Sequence, residues 1–483
     1  MDIYIKNLKD TDFTCDAIIL PVIEGEAGFY NYLGKSVSNI LRKVLLKEFC
    51  NQQNELILVP APDDIKPERL LFVYLGKKDL VSSEKLRQAG GKSAAYLRDM
   101  GMKRIALSTS LVSDLRLSPA EFIEGMLLRL YTFDKFKKVN NKRFLERTTI
   151  LSKPAKELTK KLEWVRTVTS SVCFARDLIN APANHMTPDD LAKTALSLRQ
   201  KNLTVKVLGR KDAHKLGMGA YLSVANGSKE PPKFIVLQYK GARGAPLVLI
   251  GKSITFDSGG ISLKPAEGME KMKYDMAGGA VVLGVIKAAA ELRMPLSITG
   301  ILPATENLPG GSASKPGDVV TAINGKTIEI VNTDAEGRLV VADAIGYAQR
   351  FKPQAIIDIA TLTGACSIAL GDVAIAIMGN DRGLIDKIRK SSDETCERVW
   401  EMPLFEEYRE YIRGDITDIK NTGGKNGSLV TSAFFLYEFA GNVPWVHFDI
   451  AGTAWTEKDK PYIPKGASGI GVRLILNLIK ELK

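Results

Sequence analysis

Histidine is scarce in this sequence: the 483 residues contain only three, His185, His214 and His447. No His-Glu-x-x-His motif is present, so the usual pair of imidazole ligands on one helix is excluded. A catalytic metal held mainly by imidazoles is therefore not expected. His447 stands beside Trp445 and Phe448 in an apolar strand pattern, which favours a structural histidine. The other two histidines lie in polar or loop-like stretches.

Long apolar runs and paired cysteines are also missing. No run reaches the ~18 apolar residues that a membrane-spanning helix needs, and the best candidate, 280–292, is interrupted by Lys287 and Glu291. The N-terminus lacks the apolar stretch of a signal peptide. The five cysteines are odd in number and form no Cys-x-x-Cys, which is typical of a reduced protein. We therefore expect a cytoplasmic protein without a membrane segment.

Two common catalytic motifs are absent. Gly-Lys-Ser occurs three times, at Gly34, Gly91 and Gly251, but no copy has the glycine five residues earlier that a phosphate-binding loop needs. No Gly-x-Ser-x-Gly nucleophile elbow occurs either. These absences argue against an ATPase and weaken the case for a serine hydrolase.

What the sequence does contain is an alternation of short β-branched runs with helical patterns, which is typical of an α/β fold. In the first part, strands are predicted at 17–22, 55–59, 70–75 and 104–108, and helices at 83–100 and 118–133. In the second part, strands are predicted at 246–250, 297–302, 327–331, 355–360 and 446–450, and helices at 277–292, 339–350 and 475–482.

A basic segment separates these two parts. Between Lys135 and Lys161, ten basic residues face only two acidic ones, so this segment carries most of the formal net charge of +12. Low hydrophobicity combined with a run of charge is typical of a linker or an exposed helix. We therefore predict an N-terminal α/β domain at 1–134, a basic connector with a linking helix at 135–172, and a second α/β domain at 173–483.

Acidic and basic side chains crowd among glycines in two segments that follow predicted strands. The first segment carries Lys252, Asp257, Lys264 and Asp275, and the second carries Asp334, Glu336 and Arg338. Residues two apart in extended backbone share a face, which would bring Asp334, Glu336 and Arg338 together. Carboxylates gathered in this way need cations, and oxygen-rich sites suit Mg²⁺ or Mn²⁺ and accept Zn²⁺. Helix caps and surface ion pairs explain any one of these residues, but not all seven beside turn glycines.

These two segments resemble the leucyl (cytosol) aminopeptidases, a family of dinuclear metallopeptidases. The octapeptide Asn-Thr-Asp-Ala-Glu-Gly-Arg-Leu stands unbroken at 332–339, and Lys…Thr-Phe-Asp-Ser-Gly-Gly…Lys…Asp stands at 252–275. Further pieces at 176–184, 360–365 and 449–455 extend the resemblance over the whole chain. Ser253 replaces a glycine of most members without changing a ligand. The resemblance implies a small N-terminal α/β domain and a larger catalytic α/β domain, whose central mixed sheet is flanked by helices.

The resemblance also implies roles for individual residues. One metal ion would be bound by Lys252, Asp257, Asp275 and Glu336, and a second by Asp257, Asp334 and Glu336. The residues alone would make Lys252 an ion-pair partner, because a lysine ligand needs a neutral amine and hence a nearby cation. Lys264 would polarise the substrate carbonyl, and Arg338 would hold a bicarbonate as general base, since arginine keeps its proton. The implied substrate-binding residues are Met272, Asn332, Ala335, Thr361, Leu362 and Gly364.

The implied function is the release of N-terminal amino acids, preferably leucine and other apolar residues, from peptides. A water activated by two ions, Mn²⁺ or Zn²⁺, would attack the carbonyl. The implied assembly is a homohexamer, a dimer of trimers. Some bacterial members of the family also bind DNA, and the charge of +12 is compatible with phosphate contacts. A solvated linker face is the simpler explanation of that charge.

Overall fold

The computed structural model describes residues 1–25, 29–47, 56–138, 143–241 and 244–482. Cys50, Lys142 and Glu55, the first residue of a predicted strand, lie outside the described residues. Contacts divide the chain into two units, one of residues 1–169 with 458–464 and the other of residues 170–457 with 465–483. Among the described residues, no helix is both long enough and apolar enough to cross a membrane.

The first unit is built on a six-stranded sheet. Strands β1 to β6 are Asp2–Lys6, Ala17–Val22, Leu56–Pro60, Arg69–Tyr74, Arg104–Ser108 and Arg147–Leu151. Helices α1 to α4 are Lys35–Lys47, Ser83–Asp99, Ser110–Asp114 and Pro119–Arg129. The strand order is β1-β6-β5-β2-β4-β3, and all pairs are parallel except β3 with β4. Every residue of β2 is buried, as expected for a central strand of a parallel sheet that is covered on both faces.

The basic segment is more than a linker in the structure. Strand β6 lies inside the predicted connector 135–172, yet it pairs with both β1 and β5. Four of its five residues are buried and uncharged, whereas the basic residues lie mainly before and after it. The net charge of the whole segment predicted a linker, although five of its residues form a strand of the core. Helix α5, Lys156–Asn180, follows, and the division between the two units falls within this helix.

The second unit contains a nine-stranded mixed sheet and two smaller sheets. Strands β7 to β20 are Leu203–Leu208, Lys233–Tyr239, Leu247–Gly251, Ser253–Asp257, Ile298–Asn307, Asp318–Thr321, Thr327–Ile330, Ala355–Ala360, Ile375–Gly379, Val399–Glu401, Ile419–Lys420, Trp445–Asp449, Trp455–Thr456 and Gly466–Ala467. The order of the large sheet is β16-β15-β18-β14-β9-β11-β8-β7, with β10 paired to β11. Strands β12, β13 and β17 form a second sheet, and β19 with β20 a third.

Helices cover the large sheet and complete its core. Helices α6 to α15 are Pro188–Ser197, Arg210–Lys215, Gly219–Val224, Ala277–Glu291, Glu336–Ala348, Gly364–Leu370, Arg382–Thr395, Arg409–Ile412, Ser428–Ala440 and Val472–Glu481. One hydrophobic cluster joins α10 and α14 to alternate residues of the central strands, among them Val248, Ile250 and Ile356. Helix α9 contacts β9, β11 and β14 with residues outside this cluster. The α/β architecture predicted for this part of the chain is confirmed.

The topology brings several strand ends to one edge. Strands β9, β10, β11, β14 and β18 run parallel to one another, so their carboxyl ends meet, and ligands commonly bind at such an edge. The loop that carries Asp334 arrives differently, because it follows β13 of the three-stranded sheet. The two acid-rich segments therefore reach the edge from different sheets.

Candidate metal centre

Carboxylates from both acid-rich segments meet at this edge. One oxygen from each of Asp257, Asp334 and Glu336 lies within 4.8 Å of the other two. Asp257 ends β10, and Glu336 is the first residue of α10. Oxygen ligands in such a group suit hard or borderline divalent cations.

Lys252, which follows β9, is buried among the same carboxylates. Its Nζ lies 2.8 Å from an oxygen of Asp275 and 2.8 Å from one of Glu336, and it donates to the carbonyl of Thr361 at 3.0 Å. Burial alone would lower the pKa of Lys252, but the carboxylates of Asp275, Glu336 and Asp257 outweigh it and raise that pKa. In this geometry Lys252 is the ion-pair partner that the residue pattern alone predicts. A divalent cation beside it would favour the neutral amine.

Lys264 occupies the other side of the cluster. Its Nζ lies 2.8 Å from Asp257 Oδ2 and 2.5 Å from Asp334 Oδ1. Burial would lower the pKa of Lys264, but the carboxylates of Asp257, Glu336 and Asp334 raise it above the ordinary value. The side chain is 21% exposed, and its ammonium group lies between the two carboxylates.

Glu336 gives the clearest sign that an external cation belongs here. Its side chain is buried, and within the described residues its Oε2 has no hydrogen-bond partner. Burial raises the pKa of Glu336, and burial likewise raises the pKa of Asp275 and of Asp334. A buried carboxylate oxygen without a donor is costly, and a bound cation would remove that cost. The residues present therefore fit a divalent metal.

The local sequence explains how Asp257 is oriented. Gly259 and Gly260 have φ values of +89° and +68°, a left-handed conformation that favours glycine. This turn lets the Gly259 N–H donate to Asp257 Oδ1 at 2.9 Å, and Asn307 Nδ2 donates to the same oxygen at 2.8 Å. Asp257 Oδ1 is thus fixed by the protein, and Oδ2 faces Lys264.

A third glycine makes room for Lys252. A Cβ at Gly337 would lie 2.6 Å from both Nζ and Cε of Lys252. The lysine side chain therefore crosses the first turn of α10 at a point where any other residue would collide with it. This close approach accounts for the glycine between Glu336 and Arg338.

Arg338 is buried in the first turn of α10. Burial lowers its pKa to about 10, although the carboxylates of Glu336 and Asp449 act in the opposite direction. The guanidinium group therefore remains charged at neutral pH and cannot act as a base. Within the described residues its Nε has no hydrogen-bond partner. A buried donor of this kind fits a small anion.

The expected reason for the convergence of Asp334, Glu336 and Arg338 does not hold. The side chains were expected to meet through extended backbone, but α10 begins at Glu336, three residues before the predicted helix. The loop-to-helix turn places Asp334 beside Glu336 instead. The charged residues before Leu339 were assigned to a loop because they lack an apolar pattern. An acidic residue is nevertheless favourable in the first turn of a helix, and Glu336 occupies that position in α10.

The predicted substrate-binding residues lie on three segments. Met272 is half-buried in the 3₁₀ helix Met269–Met276, Asn332 and Ala335 lie between β13 and α10, and Thr361, Leu362 and Gly364 follow β14. Thr361 has a second contact with the cluster, because its Oγ1 donates to Asp275 Oδ1 at 2.7 Å. Asn332 is exposed, and its Oδ1 accepts from the N–H of Asp334 at 2.9 Å.

Three buried side chains were not singled out from the sequence. Asn307 binds Asp257, as described above, and also donates to the Thr333 carbonyl at 3.1 Å. Asp449 accepts from the Leu362 N–H at 3.2 Å and from Thr363 Oγ1 at 2.7 Å. Asn421 contacts the loop before α10. Asn307 and Asp449 each end a strand at the carboxyl edge, which is a usable signal, whereas Asn421 follows a two-residue strand with no pattern of its own.

Among the described residues, one of the two ring nitrogens of His447 has a hydrogen-bond partner. Its Nδ1 lies 2.5 Å from Asp358 Oδ1, while Nε2 has no hydrogen-bond partner among the described residues. Burial lowers the pKa of His447, but Asp358 and Asp449 outweigh it and raise that pKa. The imidazole is fully buried, as expected of a structural histidine.

Comparison with known proteins finds matches to one family along most of the chain. Residues 30–140 match the family model "Cytosol aminopeptidase family, N-terminal domain", and residues 173–476 match "Cytosol aminopeptidase family, catalytic domain". A probable cytosol aminopeptidase of Geotalea uraniireducens (strain Rf4) is 46% identical over 93% of this chain and 92% of that protein. Another, from Geobacter sp. (strain M21), is 44% identical over 100% of both chains.

A solved structure has a similar fold over nearly the whole chain. The bottromycin maturation enzyme BotP in complex with Mn has a TM-score of 0.87 and 29% sequence identity, over 97% of this chain and 100% of that chain. The resemblance predicted from the two acid-rich segments is confirmed. The chain belongs to the cytosol aminopeptidase family.

Proposed function

We propose that this metal-dependent aminopeptidase uses two metal ions to release N-terminal amino acids, preferably leucine and other apolar residues, from peptides. The family supplies the coarser activity, a metal-dependent aminopeptidase. One observation carries the finer proposal. The carboxylates of Asp257, Asp334 and Glu336 lie close together, and Glu336 Oε2 has no hydrogen-bond donor among the described residues.

The proposed ligand sets are those that the family resemblance implies, and the grouping of Asp257, Asp334 and Glu336 supports them. Lys252, Asp257, Asp275 and Glu336 would hold one ion, and Asp257, Asp334 and Glu336 the other. When bound, the ions would supply the Lewis acidity that activates the attacking water and that binds the lone pair of the free α-amine of the substrate. Mn²⁺ and Zn²⁺ are the candidates, and the related BotP structure was solved with Mn.

The chain supplies the remaining chemistry. Lys264 keeps its charge beside Asp257 and Asp334, so it can donate to the substrate carbonyl oxygen as negative charge develops there. Arg338 would hold a bicarbonate ion as general base, since its own guanidinium group stays protonated. Met272, Asn332, Ala335, Thr361, Leu362 and Gly364 would form the walls against which an apolar side chain packs.

Hydrolysis of a leucine anilide with and without a chelator tests the reaction. We expect the chelator to abolish turnover and Mn²⁺, Zn²⁺ or Co²⁺ to restore it. Comparison with lysine and glutamate anilides tests the apolar preference. Turnover that resists the chelator would contradict the two-metal reaction.

We also propose a cytoplasmic homohexamer, a dimer of trimers. The relatives that match over the whole chain are named cytosol aminopeptidases, which supports the location. Light scattering of the purified protein should give six times the mass of one chain. A monomer at micromolar concentration would contradict the assembly.

A second candidate function is DNA binding. Lys135, Lys137 and Lys138 are exposed next to one another in the basic segment, and such lysines can contact phosphates. Duplex affinity should then fall steeply with salt, and replacing the three lysines with glutamine should reduce the slope. If the variant binds as the wild type does, the basic segment is only a solvated face.

A further inference from the structure

A fully buried amide side chain contacts the loop that carries Asp334. Asn421 follows β17, the strand that pairs in parallel with β13, and its N–H donates to the carbonyl of Glu329 at 2.9 Å. The backbone of Asn421 thus extends the ladder between these two strands by one hydrogen bond. Strand β13 ends at Ile330, so the next residues toward Asp334 lack a strand partner.

Beyond the end of β13, the side chain of Asn421 makes the hydrogen bonds to the backbone. Its Oδ1 accepts from the N–H groups of Val331 and Asn332 at 2.8 and 3.3 Å. Its Nδ2 donates to the carbonyls of Asn332 and Ala335 at 2.7 and 3.4 Å. One side chain therefore contacts four backbone groups on both sides of Asp334, two of them at short distances.

Only a carboxamide satisfies this set of partners. Two of the backbone groups are donors and two are acceptors, so aspartate would place a carboxylate against the carbonyls of Asn332 and Ala335. A shorter hydroxyl reaches fewer of them. Without these hydrogen bonds, the backbone groups of Val331, Asn332 and Ala335 would turn to water, and the loop would relax toward another conformation.

The opposite side of the loop is attached to the first acid-rich segment. Thr333 Oγ1 donates to the Gly259 carbonyl at 2.7 Å and accepts from the Ser262 N–H at 2.8 Å. Asp334 therefore lies between two attachments, one of which belongs to the segment of Asp257. Asn421 is the attachment on the other side.

We propose that Asn421 is a positioning residue that holds the loop 331–335, and with it Asp334, in place for the second metal ion. This inference rests on the two-metal proposal. Asp334 is the ligand that the second ion would not share with the first, so loosening its loop should affect the two ions unequally. Partners that orient a ligand commonly contribute about 10–100-fold to metal affinity.

Calorimetric titration of the metal-stripped full chain with Mn²⁺ tests this. We expect two Mn²⁺ equivalents for the wild type. In Asn421→Ser, the affinity of the weaker equivalent should fall about 10–100-fold while that of the tighter one changes little. Asn324→Ser is the matched control, because Asn324 is exposed on the hairpin of the same small sheet and its side chain accepts from the Lys326 N–H. It should bind both equivalents as the wild type does.

A second variant separates placement from charge. Asn421→Asp adds a negative charge near the centre, which alone would strengthen cation binding. If placement of the loop matters, this variant should still bind the second equivalent more weakly. Circular dichroism shows whether each variant folds. If Asn421→Ser does not fold, the affinity of Asn421→Asp for the second equivalent tests the role of Asn421.

The outcomes are distinct. Unchanged binding in both variants, or equal weakening of both equivalents, would overturn the role of Asn421 and leave the two-metal proposal intact. Fewer than two equivalents in the wild type would overturn both proposals. Selective loss of the second equivalent supports the inference.

Discussion

Buried carboxylates occur in two regions of the second unit, and their oxygens are satisfied differently. At the carboxyl edge, Asp275 and Glu336 face the ammonium group of Lys252, and Glu336 Oε2 has no donor among the described residues. Elsewhere in this unit, every carboxylate of a second group accepts hydrogen bonds from fixed protein donors. That group consists of Asp343 and Asp358.

The second group shows how the protein satisfies a buried acid when no cation is needed. Asp343 accepts from the N–H groups of Tyr221 and Ile323, both at 2.8 Å. Asp358 accepts from Trp445 Nε1 at 2.7 Å and lies 2.5 Å from His447 Nδ1. Burial raises the pKa of Asp343 as it raises that of Glu336. A raised pKa therefore does not distinguish a metal ligand, whereas the donor set does.

The largest effect should come from replacing Glu336, the carboxylate that the two proposed ions would share. Glu336→Gln should lose metal and lower kcat/KM at least about 10³-fold, because ~4 kcal/mol of transition-state stabilisation by metal is lost. Metal content and leucine anilide hydrolysis measure this. The matched control is Asp358→Asn, which should keep its metal, since the Asp358 carboxylate is bound by Trp445 and His447. If Asp358→Asn also lost metal, the contrast between the two regions would fail.

Lys264→Ala should separate catalysis from metal binding. Removing a donor to the developing oxyanion typically costs 10²–10³-fold in kcat, and we expect a loss of about that size with both metal equivalents retained. Paired measurements of kcat and metal content check it. Loss of metal together with activity would show that Lys264 organises Asp257 and Asp334 rather than the substrate.

A smaller effect is expected at Asp449. Asp449→Asn would turn an N–H₂ group toward the donors of Leu362 and Thr363, and losing one such contact costs about 1–3 kcal/mol. If this loop forms the substrate wall, KM for apolar anilides should rise about tenfold with little change in kcat. A fall in kcat with unchanged KM would place Asp449 in the chemistry instead.

Much of the fold was predictable from local pattern. The strands expected at 17–22, 104–108 and 355–360 have these bounds in the structure, because each is a short run of mainly apolar residues that is almost entirely buried. Strand β17, with two residues, carries too little pattern to be recognised. Strand β6 was hidden by the charge of its neighbours. Helix α4 ends at Arg129, earlier than the predicted 133, because the apolar periodicity continues past the last helical residue.

The candidate site was predictable where it depends on residue type, and less so where it depends on contacts. The crowding of acidic and basic residues among glycines indicated the residues of the cluster, including Lys252. The family resemblance added the expectation that Lys252 is a metal ligand. Asn421 was missed because its partners are backbone groups about 90 positions away. Such a contact depends on the pairing of β13 with β17, which no local pattern reveals.

The smallest effect should be a pH dependence of stability at Asp343. Burial outweighs its hydrogen bonds to the Tyr221 and Ile323 N–H groups and raises the pKa of Asp343 to about 7, from 3.8 for a free aspartate. Between these values the folded chain keeps a proton that the unfolded chain has released. The contribution to the free energy of unfolding is therefore fully present below about pH 4 and is lost as the pH rises through 7. The loss could reach about 4 kcal/mol at most.

Urea unfolding of the wild type and Asp343→Asn across pH 4.5–8 measures this contribution. The wild type should lose stability relative to the variant as the pH rises. Asp318→Asn is the control, because hydrogen bonds from Lys315 lower the pKa of Asp318, so its small contribution has the opposite sign. If the wild type instead gained stability with pH, the backbone donors would outweigh burial at Asp343. Fixed donors would then keep a buried carboxylate charged without a cation, which would sharpen the contrast with Glu336.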